Sequence, residues 1–216
     1  MALSEEGRLR EAICDFGRSL FDRGLTAGSS GNISVALDDG GWLMTPTNAS
    51  LGRLDPARIS KLGADGRLVS GDAPTKEIPL HRAVYDVRGG ARAIVHLHSH
   101  YSVAASLLEG IDAASMLPPL TPYFVMKVGR LPLVPYFRPG DPSVADVIRD
   151  LARHHAAVML ANHGPVVSGE SLDAAVNAIE ELEATSRLFV DLHGKPHRAL
   201  SEAQIEELRQ TFGAVW

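Results

Sequence analysis

Apolar and polar positions along the chain change period from segment to segment, and those changes mark its elements. Residues 4–23 form an amphipathic pattern that predicts a helix, with Ser4 as N-cap, Glu5 and Glu6 favouring the positive helix end and Gly24 as the stop. Short apolar runs at 33–37 and 42–45 predict strands joined by the turn Asp38-Asp39-Gly40-Gly41. Residues 61–70 predict a second hairpin around Asp65-Gly66. A helix is expected over 76–87 with Thr75 near its N-cap, then a buried strand over 91–98 and a helix around 102–109. A proline-rich stretch (117–142), a helix at 143–155, strands at 157–161 and 165–167, and helices at 171–192 and 201–212 complete the chain. Strict βαβ alternation is missing and neighbouring strands are hairpin-linked. The pattern therefore predicts one α/β layered domain, residues 1–216, around a largely antiparallel or mixed sheet.

Composition narrows the function classes. The 216 residues carry a net charge of −5 with no basic tract, which argues against a nucleic-acid partner. Cys14 is the only cysteine, so an intrachain disulfide and a cysteine-rich zinc site are both excluded. The first residues, MALSEEGRLREAICDF, place charges where a signal peptide needs an apolar core, and no apolar run approaches the roughly 20 residues of a membrane span. A cytoplasmic protein without a membrane partner is expected.

The stretch AIVHLHSHYS (93–102) carries the first chemistry. Side chains at i and i+2 of a strand share a face, so His96 and His98 should emerge together at a strand's carboxyl end. They would either clamp one ion or serve as hydrogen-bonded strand-end residues. His163, in MLANHGPVVSG, follows another buried strand and precedes the turn-forming Gly164-Pro165. If both strands end at the same sheet edge, three imidazoles meet with one position open, the arrangement of a catalytic zinc. His100 lies beyond the strand end and is left out. His154 and His155 fit the last turn of a helix. His81, four residues after Glu77, fits a helix-face pair with it. On its own stretch, PTKEIPLHRAVY, Glu77 reads first as an acidic helix-start residue.

Together GLTAGSSGNISV, WLMTPTNASLGRLDP, PTKEIPLHRAVY, AIVHLHSHYS and ANHGPVVSG, in this order over about residues 20 to 190, resemble the class II aldolase/adducin family. The resemblance implies a three-layer α/β/α sandwich around a largely antiparallel central sheet, assembled as a homotetramer with sites between subunits. It also implies a divalent metal, typically zinc with manganese or cobalt as alternatives, on His96, His98 and His163. Glu77 would match the catalytic base, which can also ligate the metal. Gly31-Asn32 and Thr47-Asn48 would match two phosphate loops, although the aldolases usually carry glycine where this chain has Asn48. Thr75-Lys76 stands where the aldolases have Ser-Ser, keeping a hydroxyl and adding a positive charge. Tyr123 would match a proton donor supplied by the neighbouring subunit.

Within the family, PTKE, MLPPLTPY, VMKVGRLPLVPYFRPGD and LLANHGPVV look most like the branch of 3-oxo-tetronate 4-phosphate decarboxylases. That likeness implies a phosphorylated sugar acid as substrate, losing carbon dioxide through a metal-stabilised enediolate. Lys76 would then meet either the substrate carboxylate or its phosphate. A sugar-phosphate aldolase, releasing an aldehyde, would use the same constellation. An adducin-like structural head would keep the fold without the catalysis, and the complete set of Glu77 and three histidines argues against it.

Overall fold

The computed structural model describes residues 3–138 and 141–216. Residues 139 and 140 of the proline-rich stretch, and the first two residues of the charged start, lie outside the described residues. Helix α1 (Glu5–Asp22) begins as expected, the Ser4 hydroxyl accepting from the Gly7 N–H at 3.1 Å. Strands β1 (Asn32–Ala36) and β2 (Trp42–Met44) form the first hairpin, and β3 (Ser60–Leu62) and β4 (Leu68–Ser70) the second. Helix α2 (Ile78–Tyr85) leads to β5 (Ala93–His96) and then to α3 (His100–Ser106). The rest is α4 (Pro122–Lys127), β6 (Leu133–Val134), α5 (Val144–Ala152), β7 (Ala157–Leu160), β8 (Gly164–Gly169), α6 (Leu172–Leu192) and α7 (Glu202–Phe212).

The strands make one sheet in the order β4-β3-β2-β1-β5-β8-β7-β6, antiparallel throughout except for the parallel pair β6 and β7. Each central strand sends alternate residues to opposite faces. Ala93, Val95, Ala157, Met159 and Val167 enter a core shared with α1, α3, α4 and α6. Ile94, Val158, Leu160 and Val166 enter a second core against α2 and α5. Helices thus cover both faces, giving the α/β/α sandwich. Among the described residues no helix is long and apolar enough to cross a membrane.

Several boundaries differ from the expected spans. Helix α2 starts at Ile78 with Glu77 as its cap, not at residue 76, and Pro79 sits in the first turn, where its missing N–H costs nothing. Helix α3 begins at His100, two residues early. The proline-rich stretch is not all loop: Thr121 caps Phe124 N–H at 3.1 Å and Pro122 occupies the first position of α4.

Candidate metal centre

Topology brings the predicted ligands together. Strand β5 lies between β1 and β8, so its carboxyl end faces the turn that joins β7 to β8. Leu97 is fully buried in the first core, which turns His96 and His98 to the opposite face. His163 lies in the β7–β8 turn, after Asn162, whose φ of 61° is the left-handed conformation asparagine tolerates. Gly164 then lets this turn press against the His98 segment, since a Cβ there would lie 2.0 Å from the Leu97 carbonyl oxygen.

Glu77 closes the set. One ligand atom from each of Glu77, His96, His98 and His163 lies within 4.8 Å of the other three. Glu77 Oε2 is 3.5 Å from His96 Nε2, Glu77 Oε1 is 3.5 Å from His163 Nε2, and the Nε2 atoms of His96 and His98 are 3.1 Å apart. His96 is fully buried and its Nδ1 lies 2.8 Å from the Pro165 carbonyl oxygen. A carbonyl only accepts, so Nδ1 carries the proton and Nε2 turns its lone pair to the cluster, as a metal-ligating histidine requires. Burial, with His96 and His163 nearby, pushes His98 down to about 4, and burial likewise lowers His163. Burial alone would raise Glu77, but His96, the Asn32 amide and His163 outweigh it and hold the carboxyl below its usual range. Neutral imidazoles and an ionised carboxylate are the donor forms a divalent cation needs, so these residues fit one.

The three loops beside the cluster are knitted to one another. Thr45 Oγ1 accepts from Ile33 N–H at 3.1 Å, Thr75 N–H donates to Thr45 O at 3.2 Å, and Thr47 N–H donates to Ala73 O at 2.9 Å. Gly31 has φ 80°, and a Cβ there would meet the His96 carbonyl oxygen at 3.0 Å. Asn48 has φ 57°, which explains the departure from glycine: asparagine is the side chain that best tolerates that conformation. The Asn32 side chain is turned to the cluster, its Nδ2 donating to Glu77 Oε2 at 2.6 Å. Lys76 is exposed and lines a pocket with Glu77 and His163.

Two expectations change. His81 does not pair with Glu77 on a helix face. It is fully buried, with Ser34 Oγ 2.7 Å from its Nδ1 and Asn32 Oδ1 bonded to its Nε2. The strand β1 supplies partners that a helix-only reading omits. His154 and His155 follow the end of α5 instead of occupying its last turn. Tyr123 is 60% exposed on α4, under Lys127, and outside the Glu77 cluster. His100 opens α3 and takes no part in the cluster, as expected.

One residue was missed. Arg138 lines the same pocket as Lys76, from the loop after β6. An arginine in an irregular proline-rich stretch carries no periodic signal.

Known proteins share this fold. A family model for the Class II Aldolase and Adducin N-terminal domain matches residues 11–190. A 3-oxo-tetronate 4-phosphate decarboxylase of Cupriavidus necator is 49% identical over 218 residues, covering 99% of this chain and 100% of its own. An L-fuculose phosphate aldolase of Haemophilus influenzae is 30% identical over 186 residues, covering 85% of this chain and 83% of its own. The crystal structure of YgbL from Escherichia coli superposes with a TM-score of 0.93 at 48% identity, over 95% of this chain and 100% of that one.

Proposed function

Since this chain belongs to the class II aldolase and adducin family, we propose that it is a metal-dependent carbon–carbon lyase. It would convert a 3-oxo-tetronate 4-phosphate to dihydroxyacetone phosphate and carbon dioxide. The observation that carries the choice of reaction is graded similarity: 49% identity to a protein named for that decarboxylation against 30% to one named for aldol cleavage.

The cation would be held by His96, His98 and His163 with Glu77. Zinc suits a three-nitrogen, one-oxygen set best, and manganese or cobalt would also accept it. When bound, it would supply Lewis-acid stabilisation of charge on the ketone oxygen. The bond between carbons 1 and 2 breaks, its electron pair stays with carbon 2 and the adjoining carbonyl, and carbon dioxide leaves. Carbon 2 then takes up a proton. Glu77, held ionised, begins as a proton acceptor at Oε1, the oxygen that Asn32 does not hold. It would take the substrate hydroxyl proton and deliver it to carbon 2, and a proton from solvent, passed on by Tyr123 of a neighbouring subunit, would restore the hydroxyl.

Lys76 and Arg138 offer positive charge for the two anionic ends of the substrate. The N–H groups of Thr47 and Thr75 are already used between the loops, so phosphate would rely on their hydroxyls, the Asn48 side chain and the Gly31-Asn32 turn. The same reading has residues 1–216 acting as one domain of a cytoplasmic homotetramer. The exposed Tyr123, away from its own chain's cluster, supports a site completed between subunits. The test is a panel of phosphorylated 3-oxo-tetronates assayed beside L-fuculose 1-phosphate. Carbon dioxide and dihydroxyacetone phosphate in equal amounts are expected. Aldehyde release from fuculose phosphate, with no turnover of any keto acid, would replace this reading with an aldolase.

A further inference from the structure

Behind Glu77 and Asn32 runs a line of polar side chains, His81, Ser34 and Tyr85, that touch no reacting group. Glu77, the cap of α2, and His81 and Tyr85 on it stand four residues apart, and Asn32 and Ser34 two apart on β1. Four helical residues rise about 6 Å and two strand residues about 6.6 Å, so the two faces mesh tooth by tooth. The contacts follow: Tyr85 Oη to Ser34 Oγ at 2.9 Å, Ser34 Oγ to His81 Nδ1 at 2.7 Å, His81 Nε2 to Asn32 Oδ1, and Asn32 Nδ2 to Glu77 Oε2 at 2.6 Å.

Every proton in this line has one allowed position. An ionised carboxylate only accepts, so Asn32 must turn its NH2 toward Glu77 and its oxygen toward His81. That oxygen also only accepts, so His81 must carry its proton on Nε2 and leave Nδ1 bare. Ser34 must then donate to Nδ1, and Tyr85 must donate to Ser34. The order is set by Glu77 and held in place by stacking of Tyr85 on Trp42, ring centroids 5.6 Å apart.

We propose that His81 is a positioning residue: through this one-way chain it fixes the Asn32 amide, which aims Glu77 Oε1 at the substrate. The inference rests on the reading of Glu77 as the group that handles the proton. It concerns the His81 side chain, which bonds to Ser34 and Asn32 and not to the ligand side chains.

The test compares His81→Leu with His81→Gln, whose amide keeps one donor and one acceptor, in metal-loaded protein and again in an Asn32→Ala background. Partners behind an active-site ligand typically matter about 10- to 100-fold. His81→Leu should lose that much in kcat with little change in KM, His81→Gln should recover most of it, and the loss should vanish once Asn32 is alanine. Equal losses in the leucine and glutamine variants, or losses that multiply with Asn32→Ala, would overturn the proposal. If His81→Leu does not fold, imidazole nitrogen NMR of the parent decides, with Nε2 protonated expected and the opposite tautomer contradicting it. Failure of the Glu77 reading looks different: Glu77→Gln would itself leave turnover intact.

Discussion

On its open side Glu77 faces three histidines, and on its buried side it meets a strand and a helix meshed along their lengths. The histidines come from two strand ends that chain topology brings to one edge, His98 and His163 standing 65 positions apart in the sequence. The buried side depends on register, since one residue of slip in β1 would swing Asn32 and Ser34 to the opposite face. A site built from strand ends tolerates change in the elements behind it as long as the ends arrive. A site built from register does not.

The difference also decides what each substitution should cost. The sharpest separation is at the ligands. His96→Ala and His163→Ala should each remove the bound divalent metal and with it nearly all turnover, while the fold stays intact by circular dichroism. Full metal occupancy in both variants, by elemental analysis, would dissolve the open side of the comparison. Glu77→Gln belongs to both sides, and should cost about 100- to 10,000-fold in kcat, the usual range for a general acid–base group. A variant within a few fold of the parent would reduce Glu77 to a helix cap.

Lys76 lies at the mouth of the pocket. If it meets the carboxylate, Lys76→Ser should weaken kcat/KM for the keto acid by about 10- to 150-fold, the worth of a charge-assisted hydrogen bond. Inhibition by dihydroxyacetone phosphate, which lacks the carboxylate, should stay near the parent value. Equal losses in both would move Lys76 to the phosphate. The smallest effect is expected at Asn48. Asn48→Ala should lower stability by about 1 kcal/mol, because alanine resists a left-handed φ, and Asn48→Gly should be near neutral by thermal unfolding.

The sheet and the gathering of three histidines were readable because their signals are local. His-x-His uses the strand period within four residues, and Asp38-Asp39-Gly40-Gly41 names its own turn. Helix α4 was hidden because prolines marked a loop, although Thr121-Pro122 is also a good helix start. His81 was misassigned for a different reason. Its spacing from Glu77 correctly placed both on one side of α2, but its partners sit on a strand 47 and 49 residues away, which no window along the chain can see. Arg138 lay within the quoted VMKVGRLPLVPYFRPGD, but no periodic signal singled it out from that stretch.

The most direct test of the central claim is to titrate metal-free protein with zinc while following bound metal per chain and carbon dioxide released from a 3-oxo-tetronate 4-phosphate. The account predicts that both rise together and saturate at one metal per chain. Full carbon dioxide release from metal-free protein would contradict it.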